Sequence, residues 1–285
     1  MFHHHLSKPP EHRTLCSRLR IRESNTLEGT RVKEVLLIGI GPGDPAQVTY
    51  QAVTALRRAS VFFIMDKGPD KQDLLHLRKR ILERYRPEGG YRLVQMPDPT
   101  REGNPADYVG AVRDWHRERA TVYATLIEQH IAAGECGAFL LWGEPTLYDS
   151  TLRILTRVRE QGVELQVHVI PGISSVQVLA ARHQITLNRI GEPLVILPGR
   201  QLAGVDRIDN VVVMLDGQCA FATLNDPALT IYWGAYLGTE DELLVAGPLE
   251  AVKARILELR AGARLRKGWI MDTYLLRRET AGETC

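Results

Sequence analysis

Residues 33–45 read Lys33-Glu-Val-Leu-Leu-Ile-Gly-Ile-Gly-Pro-Gly-Asp-Pro45. Four apolar residues, Val35 to Ile38, run without interruption and stop at a glycine, the pattern of a strand buried on both faces. A glycine-rich turn over Gly39–Pro45 follows. Beyond it, Val48, Ala52, Ala55 and Leu56 fall at helical spacing up to Ala59. Val61-Phe-Phe-Ile-Met65 is a second apolar run, ending at Asp66. Strand, turn, helix, strand is a crossover unit, and it implies parallel pairing.

A glycine turn between a strand and a helix is where dinucleotides bind, on the fingerprint G-x-G-x-x-G. Gly39 and Gly41 fit that fingerprint, but the third position is Asp44, and Pro42 removes a backbone donor. A carboxylate there would repel a pyrophosphate. Asp66, at the end of the second strand, does resemble a ribose acceptor. The turn alone leaves open an NAD site, another ligand loop, or a tight turn that needs glycine for its backbone.

The same alternation continues outward. The sequence predicts a helix over Asp73–Tyr85, a strand over Tyr91–Gln95, and a long helix from Pro105 to Ala133, stopped by Gly134. Strands follow at Ala138–Trp142 and Val167–Ile170, then a helix over Ser174–His183. After Asn188 the pattern restarts. Strands are predicted at Leu194–Leu197, Asn210–Leu215, Leu229–Trp233 and Glu242–Ala246, a helix over Pro248–Leu259, and a last strand over Gly268–Leu276. The reading is an α/β chain of two units joined near residue 189: an extension over 1–31, domains over 32–188 and 189–278, and a tail over 279–285.

Composition narrows the function classes. The chain has 285 residues, 36 Lys plus Arg against 34 Asp plus Glu, and 25% charged residues, as expected for a folded soluble protein. The excess of positive charge sits in residues 1–31, so the body lacks the basic face of a nucleic-acid binder. Cys16, Cys136, Cys219 and Cys285 form no C-x-x-C pair, which argues for reduced thiols in a cytoplasm and against a metal site. No apolar run approaches the length of a membrane helix, and the N-terminus lacks the apolar core of a secretory signal.

Two further motifs join the first. They are Leu141-Trp-Gly-Glu-Pro-Thr-Leu-Tyr148 and Ile170-Pro-Gly-Ile-Ser-Ser175, each at a predicted strand end. In this order and spacing the three resemble the tetrapyrrole methylases, enzymes that use S-adenosylmethionine (SAM) to methylate porphyrin-like rings. The likeness extends over roughly residues 32–278. It implies two α/β domains with mainly parallel and mixed sheets, SAM in the cleft between them, and a homodimer. Met65-Asp-Lys-Gly68, Asp114-Trp-His116, Leu187-Asn-Arg-Ile-Gly-Glu-Pro193, Tyr232-Trp-Gly-Ala-Tyr-Leu-Gly238 and Lys267-Gly-Trp-Ile-Met-Asp-Thr-Tyr274 narrow the likeness to a branch of aerobic cobalamin biosynthesis. That branch implies precorrin-5 as acceptor, methylated at C-1 with loss of acetate.

Carried over position by position, the resemblance places SAM against Pro42, Trp142, Gly143, Glu144, Leu147, Ser174, Ser175, Met214, Leu237 and Gly238. Most relatives have aspartate where this chain has Glu144. A backbone contact there tolerates the longer side chain, whereas a contact through the carboxylate itself would have its reach changed. Gly143 allows close approach, and Ser174 and Ser175 offer hydroxyls, although they also suit the cap of the next helix. Met214 equally suits a core strand. Methyl transfer is an in-line displacement that gains from alignment and exclusion of water, so no catalytic triad is expected.

Relatives commonly carry an aspartate at the end of the second strand, and Asp66 is the candidate catalytic residue, with a turn cap as its bland alternative. Asp149 and Asp216 are lesser candidates. A substrate with many carboxylates calls for cations, among which Lys67, Arg113, Arg117, Arg153, Arg182 and Arg200 are available. Arg119 shares a face of the long helix with Tyr108, Val112, Trp115, Val122 and Leu126. It either holds a substrate carboxylate or pairs with an internal one. The rival readings are a sibling methylase, an NAD-dependent dehydrogenase and a non-catalytic tetrapyrrole carrier.

Overall fold

The computed structural model describes residues 32–66, 68, 72–100 and 107–278. The expected extension, the tail, Lys67 and the start expected for the long helix at Pro105 lie outside these. Strand β1 is Lys33–Gly39, and its Val35 to Ile38 have at most 1% of their surface exposed. Such a strand needs cover on both faces, and it has it.

Thr49 caps helix α1 (Tyr50–Arg58) by accepting from Ala52 N at 3.1 Å. The helix starts two residues later than its apolar spacing suggests, because Pro45–Gln47 form a separate 3-10 turn capped by Asp44. Then come β2 (Val61–Asp66), α2 (Gln72–Tyr85), β3 (Arg92–Pro97), α3 (Tyr108–His130), β4 (Cys136–Leu141), α4 (Thr151–Glu160), β5 (Leu165–Ile170) and α5 (Ser175–His183). The strands lie in the order β3-β2-β4-β1-β5, all parallel.

Alternate side chains of β1 point to opposite faces. Leu36 and Ile38 join Ala52 and Leu56 of α1 and Leu77 and Ile81 of α2. Val35 and Leu37 join Tyr123 and Ile127 of α3 and Ile154 and Leu155 of α4. Crossovers that run one way along the sheet cover one face, and those that run back cover the other, as right-handed connections require.

The second sheet holds β6 (Val195–Pro198), β7 (Val211–Met214), β8 (Leu229–Ala235), β9 (Leu243–Pro248) and β10 (Asp272–Arg278), with α6 (Leu249–Lys267) between the last two. Its order is β6-β7-β10-β8-β9. Only β6 and β7 are parallel; the other neighbours are antiparallel. Trp233, Tyr274 and Phe221 are fully buried in its core. Burying one such side chain contributes about 1.5–3 kcal/mol.

Further elements differ from the sequence reading. Helix α4 has no counterpart in the sequence reading. Helix α6 runs on to Lys267, where Gly268 ends it in a left-handed conformation (φ 74°) and donates to Arg264 O. The last strand therefore begins at Asp272, not Gly268. Among the described residues no helix is long and apolar enough to cross a membrane.

Candidate functional site

The three glycine-bearing turns meet at the carboxyl ends of β1, β4 and β5. Gly41 and Gly143 exchange backbone hydrogen bonds, Gly143 N to Gly41 O at 2.9 Å and Gly41 N to Gly143 O at 3.3 Å. A methyl group on Gly39 would lie 2.6 Å from Gly172 N and 2.8 Å from Pro145 Cδ. One on Gly172 would lie 2.2 Å from Gly143 O. These glycines are therefore required by backbone packed on backbone. A fourth turn closes on the first: a methyl on Gly43 would lie 2.6 Å from Thr239 Cγ2 and 2.8 Å from Leu237 O.

Gly143 stands apart. It has φ 74°, and a methyl placed on it would meet nothing within 4 Å. The knot of turns thus has one open backbone face, and it is at the second motif.

The side chains named from sequence hold this knot in place. Trp142 Nε1 donates to Pro42 O, and its ring meets Trp269 edge-on at 5.7 Å. Glu144 spans two motifs: Oε2 accepts from Gly172 N at 2.7 Å, and Oε1 accepts from Thr146 N at 2.9 Å and from Thr146 Oγ1 at 2.6 Å. Burial opposes its charge, but these hydrogen bonds outweigh burial and keep its carboxyl below the ordinary glutamate value. Ser174 forms a capping box with Gln177 at the start of α5, and Ser175 Oγ lies 3.0 Å from Thr273 Oγ1 of β10. Leu147, Met214 and Leu237 belong to one apolar cluster with Val176 and Leu179. Gly238 has φ 77° and donates to Glu242 Oε2 at 2.7 Å.

Asp66 ends β2 at the same edge of the first sheet. Its Oδ1 accepts from Gly68 N and its Oδ2 from Gln95 Nε2, both at 2.9 Å. The Gly68 contact is the expected turn cap. Gln95, on β3, was not read from sequence as a partner. It leaves the carboxylate oriented and partly exposed.

Arg119 is 6% exposed and has an internal partner. Its Nε lies 2.8 Å from Asp98 Oδ1, and its Nη2 donates to Tyr123 Oη at 2.7 Å. Its guanidinium stacks 4.6 Å from the Trp115 ring. Asp98 directly follows β3. Asp149 caps Thr151 N at 2.7 Å. Asp216 is buried, accepts from Tyr274 Oη at 2.7 Å, and serves the second sheet. Of the surface cations, Arg117 pairs with Asp114 and Arg182 with Glu242. Sequence reasoning passed over Arg78 of α2, although the amphipathic spacing of that helix was plain.

The chain is similar to known proteins. The profile of the tetrapyrrole (corrin/porphyrin) methylases matches residues 34–253. Precorrin-6A synthase [deacetylating] from Sinorhizobium sp is 46% identical over 250 residues, 87% of this chain and 96% of that protein. Precorrin-2 C(20)-methyltransferase from Sinorhizobium sp is 28% identical over 178 residues, 61% of this chain and 67% of that protein. Among solved structures, a protein from Corynebacterium diphtheriae described as related to cobalamin synthesis superposes with a TM-score of 0.75 at 40% identity, over 87% of this chain and 99% of that one.

Proposed function

The chain belongs to the tetrapyrrole (corrin/porphyrin) methylases, and from that membership we propose that it methylates precorrin-5 at C-1, with water-dependent release of acetate, to give precorrin-6A. The observation that carries the choice of reaction is the 46% identity, over nearly the full length of both chains, to the Sinorhizobium precorrin-6A synthase.

The methyl donor in this reading is SAM, bound between domains spanning 32–188 and 189–278 of a cytoplasmic homodimer. The residues present fit it. Gly143 offers the one open backbone face in a knot of otherwise closed turns, and the apolar cluster of Leu147, Met214 and Leu237 borders the same turns. When bound, SAM supplies an electrophilic methyl group on a sulfonium. The chain's own part is alignment and exclusion of water. Pro42, Trp142, Glu144 and Gly238 fix the turns. Ser174 and Ser175 fix the start of α5, where the backbone N–H groups face outward from the helix. Asp66, held by Gln95 and Gly68, would accept or return a proton on the acceptor during release of the two-carbon unit.

Anaerobic incubation with SAM and precorrin-5, with product mass and acetate measured together, tests the proposal. The expected result is equal amounts of methylated product and acetate. Methylation without acetate would make this a sibling methylase for another ring position. Binding of NAD without binding of SAM would remove the methylase reading altogether.

A further inference from the structure

Strands β2 and β4 pair from Val61↔Gly137 to Phe63↔Phe139, and there the ladder ends. Both strands continue, β2 to Asp66 and β4 to Leu141. Leu141 gives its carbonyl to Ile40 N on the β1 side, at 3.0 Å. Carbonyls alternate along a strand, so Leu140 O faces the β2 side, where the ladder has stopped. Arg78, from α2, fills that opening. Its Nε donates to Leu140 O at 3.0 Å and its Nη1 to Leu74 O at 2.7 Å.

Both acceptors are backbone carbonyls, so these bonds give Arg78 no carboxylate partner. Among the described residues, Arg86, Arg119, Arg189 and Arg260 are buried and each pairs with a carboxylate: Glu88, Asp98, Asp209 and Asp272. Arg78 is ion-paired with none among the described residues, and its Nη2 donates to none of them. Asp149 is close enough to act on it through space, but that carboxylate already caps α4 through Thr151 N. Tyr123 is also nearby, and its hydroxyl already takes a hydrogen bond from Arg119. Burial depresses the guanidinium's proton affinity. The side chain is nonetheless partly exposed. A desolvated cation that still reaches the surface is a ready partner for an anion. Leu140 lies only two residues before Trp142 and three before Gly143, on the edge that also carries Asp66.

We propose that Arg78 is a substrate-binding residue, anchoring a carboxylate of the tetrapyrrole acceptor in the opening between β2 and β4. The inference rests on the methylase reading above. It makes Arg78 a determinant of acceptor affinity, separate from the turns that would hold the methyl donor. A planar guanidinium with one terminal nitrogen that bonds none of the described residues suits a propionate or acetate side chain.

Two variants, R78M and R78Q, compared with wild type in anaerobic kinetics with precorrin-5, test it. The expected result is a KM for precorrin-5 raised at least tenfold, with kcat changed less than threefold and SAM affinity by calorimetry within twofold. The salt dependence of kcat/KM should also flatten, because one charge has left the encounter. A KM within twofold of wild type in the folded variants overturns the inference. So does a raised KM accompanied by an equal loss of SAM affinity, which would signal general collapse of the edge. If R78M does not fold, R78Q, which keeps a donor for Leu140 O, decides by the same measures. Wild type that turns over precorrin-5 isolates any failure to Arg78, whereas wild type that does not turn it over removes the precorrin-5 reading on which the inference rests.

Discussion

Glu144 shows how one carboxylate can hold two motifs. Its oxygens bind Gly172 N on one side and Thr146 on the other. E144Q should lower stability by about 1 kcal/mol, since it weakens charge-assisted bonds at a partly exposed site. The carboxyl is held below its ordinary value of 4.5, so its contribution is complete above that pH and fades as pH falls through the lower folded value. The melting-temperature gap between wild type and E144Q should therefore close in acid. A gap that persists at pH 3 would place the effect elsewhere. At Gly143 the added cost is both backbone and space. A side chain at φ 74° costs about 1–2 kcal/mol, and it also fills the open face. G143V should lose at least tenfold in SAM affinity by calorimetry while remaining folded by circular dichroism. For Asp66, D66N keeps hydrogen-bonding capacity toward Gly68 and removes the base. Turnover should fall at least tenfold with SAM affinity unchanged, and unchanged turnover would leave Asp66 as a turn cap.

Helix α3 buries a face centred on His116, Ala120, Tyr123 and Ile127; of the stripe Tyr108, Val112, Trp115, Val122 and Leu126 that its sequence suggests, Leu126 is buried, and Val112, Trp115 and Val122 are half-buried beside that face. Arg119 sits on the boundary of the two, which is why the sequence found the residue and not its partner. Asp98 is distant along the chain and joins it only when β3 lies beside β2. R119M should lower stability by about 3 kcal/mol because it strands a buried carboxylate, and the added change D98N should recover most of that loss. Thermal melts of the three variants check this. A raised KM without destabilisation would return Arg119 to the substrate. Helix α4 was legible and unread: Thr151, Ile154, Leu155 and Val158 are its buried positions, at helical spacing. The three turn motifs were legible because backbone contact at Gly39 and Gly172, and a left-handed backbone at Gly143, favour glycine there. Arg78 was not, because nothing in α2 itself reveals that the β2–β4 ladder stops at Phe63.

Across the molecule, the two sheets are joined by side chains from the end of α6. Lys267 Nζ reaches Asp73 of α2 at 2.9 Å and Asp241 at 2.6 Å, and Trp269 meets Trp142. Hydrogen bonding to Asp241 raises the Lys267 pKa above its ordinary 10.5, so its contribution is complete below that pH and is lost as pH rises through the higher folded value. K267M should lower the melting temperature by roughly 2–4 °C at pH 7, the effect of about 1 kcal/mol in a chain of this size, and by less above pH 11. Scanning calorimetry at both pH values checks the sign. The knot of turns has a temporal consequence as well. Its strands leave the ribosome in order, and β1 must wait about a hundred residues for β4, its partner. The turn at Leu237–Gly238, which closes on Gly43, emerges later still. A nascent chain can complete its first sheet long before it can complete the knot of turns. Rescue of folding by a ligand that needs the finished knot is therefore expected only late in synthesis, once the Leu237–Gly238 turn has emerged.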